Sequence, residues 1–162
     1  VAGLPPSALD VALKLLSVRS HSRHELRLAL SRKGFAEAQQ DAAIEKLASL
    51  GYVDDARFAR DRASALLRNG RLGPRAVMQR LCAHGLSEAE AKAALADAEV
   101  SLGMDAAQTA RSLLASKGYA GHPLSLKEKG KAARLLHARG FSEGTIEQLL
   151  GDPALDPEPQ DG

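Results

Sequence analysis

Three pairs of apolar residues stand eight and four residues ahead of a glycine: Leu26 and Leu30 before Gly34, Val77 and Leu81 before Gly85, Ala132 and Leu136 before Gly140. A second set follows nine and ten residues after each glycine: Ala43 and Ile44, Ala94 and Leu95, Leu149 and Leu150. Both spacings put the apolar pair on one face of a helix. A third set, Leu15-Leu16 and Leu66-Leu67, precedes its glycine by nineteen and eighteen residues, whereas Leu113-Leu114 precedes Gly140 by twenty-seven and twenty-six. The eight extra residues fall in the Gly-, Pro- and Ser-containing stretch 118–125, which reads as a loop. The pattern predicts helices over 7–18, 22–33 and 36–50, then 55–69, 73–84 and 87–99, then 104–117, 125–139 and 142–150.

Around each glycine runs the same octet: Leu30 to Glu37, Leu81 to Glu88 and Leu136 to Glu143. Each reads Leu, two residues, a basic or potentially basic residue, Gly, apolar, small, Glu. A cation near a helix C-terminus meets its negative pole. Glycine at the next position takes the left-handed conformation that ends a helix. Ser87 and Ser142 suit the N-cap of the following helix, whereas Ala36 is a poor cap. The octet is a helix–turn–helix joint used three times. It divides the chain into repeats 1–54, 55–103 and 104–151, the last with a longer internal loop, followed by a tail at 152–162. A unit of about 50 residues is marginal alone. The expectation is therefore an all-α fold of three tandem three-helix repeats, stacked through neighbour contacts into an elongated right-handed array.

Composition agrees. Apolar residues make up 44% of the 162 residues but aromatics only 3%, so Ala and Leu, both strong helix formers, fill the apolar positions. No apolar run approaches the length of a membrane span. No basic stretch followed by an apolar run marks a signal peptide, so a cytoplasmic location without membrane contact is expected. The chain starts at Val1 rather than Met, which leaves room for a short absent segment there. Cys82 is the single cysteine and, lying beside Leu81, reads as a buried, inert thiol.

Charge changes the picture more. The net +2 divides into +1 over 1–54, +2 over 55–103, +3 over 104–151 and −4 over the tail. Within 55–86, Arg57, Arg60, Arg62, Arg68, Arg71, Arg75 and Arg80 face only Asp55 and Asp61. Arg57, Arg60 and Arg68 lie one to two helical turns apart, and Arg68, Arg71 and Arg75 bracket a turn. Lys127, Lys129, Lys131 and Arg134 open the matching helix of the third repeat. Two basic clusters at equivalent places point to a polyanion or an acidic protein surface. Phosphate contacts by such residues give salt-sensitive DNA affinity without sequence preference. The acidic, Pro-rich tail reads as disordered, a solubilising end or a competitor for the basic surface.

Catalytic signals are missing. His21, His24, His84, His122 and His137 are scattered and read as exposed polar side chains; no metal set forms around them. Gly70-Arg71-Leu72-Gly73 lacks the Lys-Ser/Thr ending of a phosphate-binding loop. An enzyme is not expected, nor a cofactor.

Leu50-Gly51-Tyr52-Val53-Asp54-Asp55-Ala56-Arg57-Phe58-Ala59 resembles the hallmark string of the RecX family, Leu-Gly-Tyr-x-Asp-Asp-x-x-Phe-Ala, placed after a first helical triplet. The Gly70–Leu86 segment resembles the family's Gly-rich turn, basic helix and apolar exit, although Arg80-Leu81 and His84-Gly85 stand where members often have Glu-Leu and Lys-Gly. The resemblance covers 8 to 150 and is thinnest in the third repeat. It implies an elongated chain of three tandem three-helix repeats without a cofactor. It also implies a partner, the RecA recombinase filament, whose groove such proteins occupy while suppressing its extension, ATPase and strand exchange. Gly34, Gly51, Tyr52, Asp54, Asp55, Phe58, Ala59, Gly85 and Gly140 then form the structural signature. The contact residues are inferred from charge alone: Arg57, Arg60, Arg68, Arg71, Arg75, Arg80, Lys127, Lys129, Lys131 and Arg134. A monomer binding single- and double-stranded DNA weakly is expected. Two other readings stay open: a helix-turn-helix transcription regulator, and a helical-repeat scaffold. Against the first, the third helices of repeats two and three are acidic and would repel phosphates.

Overall fold

Serine before an acidic helix start is the recurrent device that sets where helices begin. In the computed structural model, which describes residues 3–151, Ser7, Ser22, Ser87 and Ser125 each cap a helix and pair reciprocally with Asp10, Glu25, Glu90 and Glu128. Such boxes satisfy two otherwise orphan backbone donors. The acidic tail lies outside the described residues.

The caps open nine helices among the described residues: α1 (Ala8–Val18), α2 (Arg23–Arg32), α3 (Glu37–Ser49), α4 (Asp55–Arg68), α5 (Pro74–Ala83), α6 (Glu88–Leu102), α7 (Ala106–Ser116), α8 (Leu126–Ala138) and α9 (Glu143–Leu150). The all-α expectation holds. Ala36 offers no side-chain cap, and Gln39 compensates by accepting from the Ala36 N–H at 2.9 Å. α6 runs three residues past its expected end at 99, until Gly103 turns left-handed. α7 begins two residues late, because Asp105 is its N-cap and Met104 packs onto the core of α4–α6.

Three apolar clusters hold the helices. Leu26, Leu30, Ile44 and Leu47 centre the cluster of α1–α3. Val77, Leu81, Ala91 and Phe58 belong to that of α4–α6, and Ala132, Leu136 and Phe141 to that of α7–α9. Most of the periodic helix positions are buried, with Leu15, Leu16 and Leu149 only partly so, and loop residues such as Val53, Leu72 and Phe141 complete the clusters. Truncating a fully buried leucine such as Leu81 or Leu136 to Ala costs about 2–5 kcal/mol. Cys82 is half-buried against the second cluster, not fully buried as expected, because it sits at the rim of the α5 face.

The clusters meet at two joints of one design. In each, the N-terminus of a middle helix abuts the glycine corner that ends the next middle helix. At the first joint Ser22 Oγ donates to the His84 carbonyl at 2.7 Å, and a Cβ added to Gly85 would lie 2.2 Å from His24 Cβ. At the second, Gly73 N–H donates to the Arg139 carbonyl at 2.8 Å and Arg75 N–H to the Gly140 carbonyl at 3.1 Å. A Cβ on Gly140 would lie 2.4 Å from Ala76 N. The positive end of one helix thus faces the negative end of another. Gly85 and Gly140 both have φ of +85°, so they end their helices and also admit a neighbour. Gly34 has the same φ and open space around it.

Candidate functional site: a basic face across two joints

The signature string folds into the first joint. Gly51 (φ +79°) ends α3, and Asp54 caps α4 by accepting from Arg57 N–H at 3.0 Å. Asp55 reaches across to accept from Arg23 N–H at 2.8 Å, tying the starts of α2 and α4 together. Phe58 and Ala59 are buried, and the Phe58 ring meets the His84 ring edge-on at 5.4 Å. Tyr52 is the exception at 62% exposed, on the wall of a cleft shared with His21, Arg57 and Asp61.

Glu25 organises this joint. It caps Ser22 N–H, accepts from Arg19 at 3.0 Å, and accepts from His84 Nδ1 at 2.9 Å. Burial by itself would raise the Glu25 carboxyl, but the hydrogen bonds from Arg19, Ser22 N–H and His84 outweigh it and hold its pKa below the ordinary carboxylate value. The histidine expectation is therefore corrected twice. His21 is buried, with Nδ1 on the Arg19 carbonyl, and His84 is half-buried. His84 is engaged by Glu25, 59 residues away, whereas the partner of His21 is its near neighbour Arg19. No group of His, Cys, Asp and Glu among the described residues could hold a metal.

Arg57, Arg60 and Arg68 fall on one solvent face of α4, opposite Ala63 and Leu66. Arg57 spends part of its charge on Asp61, 3.9 Å away. Arg71 lies in the α4–α5 loop, Arg75 in the first turn of α5 and Arg80 in its last turn, all exposed. The structure gives Arg60, Arg68, Arg71, Arg75 and Arg80 no acidic partner among the described residues. Lys127, Lys131 and Arg134 are exposed on α8, and Lys129 is half-buried there. Gly130 sits within this helix, and an added Cβ would meet only Arg134 Nη1 at 3.8 Å, so packing does not require a glycine.

Two cations escaped the sequence reading. Lys117 and Arg139 are the C-caps of α7 and α8, and with Arg71 they line a cleft at the second joint. Arg139 reads locally as a complement to its helix dipole and Lys117 carries no signal; only the fold brings them to Arg71.

The chain matches the model of the RecX first three-helix domain over residues 8–47 and that of the second three-helix domain over residues 54–95. It is 32% identical over 152 residues to "Regulatory protein RecX" of Vibrio vulnificus, spanning 93% of this chain and 96% of that protein. It is 36% identical over 135 residues to the protein of the same description from Stenotrophomonas maltophilia, spanning 83% and 80%. The crystal structure of RecX from Lactobacillus salivarius superposes with a TM-score of 0.70 at 21% identity, covering 91% of this chain and 95% of that one, a likeness of fold.

Proposed function

The chain belongs to the RecX family, and on that premise we propose that it acts as a regulator of the RecA recombinase, binding the RecA–DNA filament and limiting its extension, ATPase and strand exchange. It does so as a monomer of three tandem repeats, in the cytoplasm, by binding and not by catalysis. Among the described residues no helix is long and apolar enough to cross a membrane. The observation that carries the reading is the face of the second repeat, where Arg60, Arg68, Arg71 and Arg75 are exposed and have no acidic partner among the described residues. Cations held on a jointed scaffold supply salt-dependent, sequence-blind affinity for phosphates. Lys127, Lys131 and Arg134 on α8 add a second exposed basic stretch. The helices that a helix-turn-helix regulator would place in the major groove are unsuited to it, since α6 opens with Glu88 and Glu90.

The test is the RecA ATPase rate on single-stranded DNA with substoichiometric protein. The native chain slows it, and the triple substitution Arg68→Ala, Arg71→Ala, Arg75→Ala loses most of that effect while keeping its helical circular dichroism. No slowing by the native chain overturns the reading.

A further inference from the structure

The two joints carry clefts built from the same parts: the loop before a middle helix, the first helix of the next repeat, and the residue ahead of the glycine corner. The first cleft, about 450 Å³, is lined by Arg19, Arg62 and His84 but also by Asp61. Its His84 is bound by Glu25. In the octet register Arg139 stands where His84 stands, one residue before the glycine, and Ala76 stands where Glu25 stands, nine residues before the upstream glycine. Ala76 lies against Gly140 and brings no carboxylate. The second cleft, about 390 Å³, is lined by Asn69, Arg71, Ser112, Ser116, Lys117 and Arg139, with no acidic side chain in its wall. Arg71, Lys117 and Arg139 form no ion pair among the described residues.

Three helix C-termini converge here, because Asn69, Lys117 and Arg139 cap α4, α7 and α8. Each contributes about half a negative charge, which offsets only about half of the three cations. The remainder suits the single charge of a phosphodiester. The guanidinium forks of Arg71 and Arg139 match phosphate oxygens, and Asn69 and Ser112 add neutral donors. No aromatic ring lines the cleft, so it offers neither a base-stacking platform nor the aromatic anchor of a protein hot spot. A stiff duplex meets a recess only with its convex rim, whereas a flexible single strand can lay one phosphate inside. We propose that the cleft formed by Arg71, Lys117 and Arg139 is a binding site for a backbone phosphate of single-stranded nucleic acid. This rests on the reading of the chain as a regulator that meets DNA, and it adds a site shared by two repeats.

The experiment is fluorescence anisotropy of a short labelled oligothymidylate across a salt series. The native chain is compared with Arg71→Gln/Lys117→Gln/Arg139→Gln and with a charge-matched control in the first repeat, Arg32→Gln/Lys33→Gln/Lys46→Gln. For the cleft variant, the slope of log affinity against log salt becomes shallower by about 0.7 for each phosphate no longer neutralised, with a several-fold weaker affinity at low salt. The control keeps the native slope. Equal losses in both variants, or none in the cleft variant, overturn the proposal. On the native chain, the backbone amides of Gly70, Gly118 and Gly140 shift on titration with the oligonucleotide. Shifts produced by inorganic phosphate or polyglutamate but not by the oligonucleotide also overturn it, in favour of a small-anion or acidic-protein site. If the native chain slows RecA and the cleft variant binds the oligonucleotide normally, only this inference fails. If the native chain does neither, the functional reading fails with it.

Discussion

The joint between the α1–α3 and α4–α6 clusters and the joint between the α4–α6 and α7–α9 clusters solve one geometric problem with different chemistry. Both seat the start of a middle helix on a glycine corner. The first is tied largely by side chains: Ser22 Oγ on the His84 carbonyl, Asp55 on Arg23 N–H, Glu25 on His84, and Phe58 on the His84 ring. The second is tied by backbone, through Gly73 N–H and Arg75 N–H on the Arg139 and Gly140 carbonyls. A side-chain joint is adjustable and titratable. A backbone joint is indifferent to acid but has no room for a Cβ on either side, since one on Gly73 would lie 2.5 Å from Phe141 N. Consuming cations internally at the first joint and leaving them unpaired at the second gives equivalent clefts opposite uses.

The largest effect should come from Gly140→Ala. The new Cβ would press on Ala76 N at 2.4 Å in a left-handed backbone, and the expected loss is about 3 kcal/mol, read by urea unfolding. Gly34→Ala is the matched reference, with the same φ and nothing to strike, and should lose only about 1 kcal/mol. Equal losses would mean that the second joint yields to a Cβ without cost.

Next in size is the acid response. Because the folded state holds the Glu25 carboxyl below its ordinary pKa, this group's contribution is present at neutral pH and is lost as pH falls through the depressed value. Glu25→Gln should cost about 1–2 kcal/mol at neutral pH, and its gap from the native chain in thermal unfolding should close in acid. The Gly73 and Arg75 bonds involve no carboxylate, so Gly140→Ala should keep its gap there. A gap for Glu25→Gln that persists in acid would assign the stabilisation to packing.

The smallest change in stability should come from Ala76→Glu, which places a carboxylate in the second joint at the register position of Glu25. Folding should shift by about 1 kcal/mol or less, while oligothymidylate binding weakens several-fold as Arg139 is neutralised. Unchanged binding, measured by anisotropy, would show that register equivalence does not carry over to side-chain contact.

What could be read in advance was local. The octet set Gly34, Gly85 and Gly140 in one conformation, and the periodic apolar positions became the buried ones except Leu15, Leu16 and Leu149, which are only partly covered. The signature residues Asp54, Phe58 and Ala59 took structural places as a cap and as core. What could not be read was which corner meets which helix start, because Ser22 and His84 are 62 residues apart. For the same reason His84 passed for an exposed side chain. Arg139 was legible only as the octet's dipole partner and Lys117 carried no signal at all, because their approach to Arg71 exists only after three helix ends converge. The candidate cations Arg57 to Arg80 were visible as charge, and the i,i+4 spacing of Arg57 and Asp61 was legible too, but that Arg71 faces a cleft is a property of the fold.

The order of the joints also bears on how the chain is made. Each middle helix docks on a corner that lies downstream, so a repeat leaving the ribosome can close its own core but not its joint. The Ser22 corner waits for His84, a delay of roughly 3–12 s at bacterial translation rates of about 5–20 residues per second. Until Asp55 and then His84 arrive, the serine box is what caps the start of α2, which gives Ser22 and Glu25 an early task as well as a final one. Assembly therefore runs backwards along the chain: each newly finished repeat locks the one made before it.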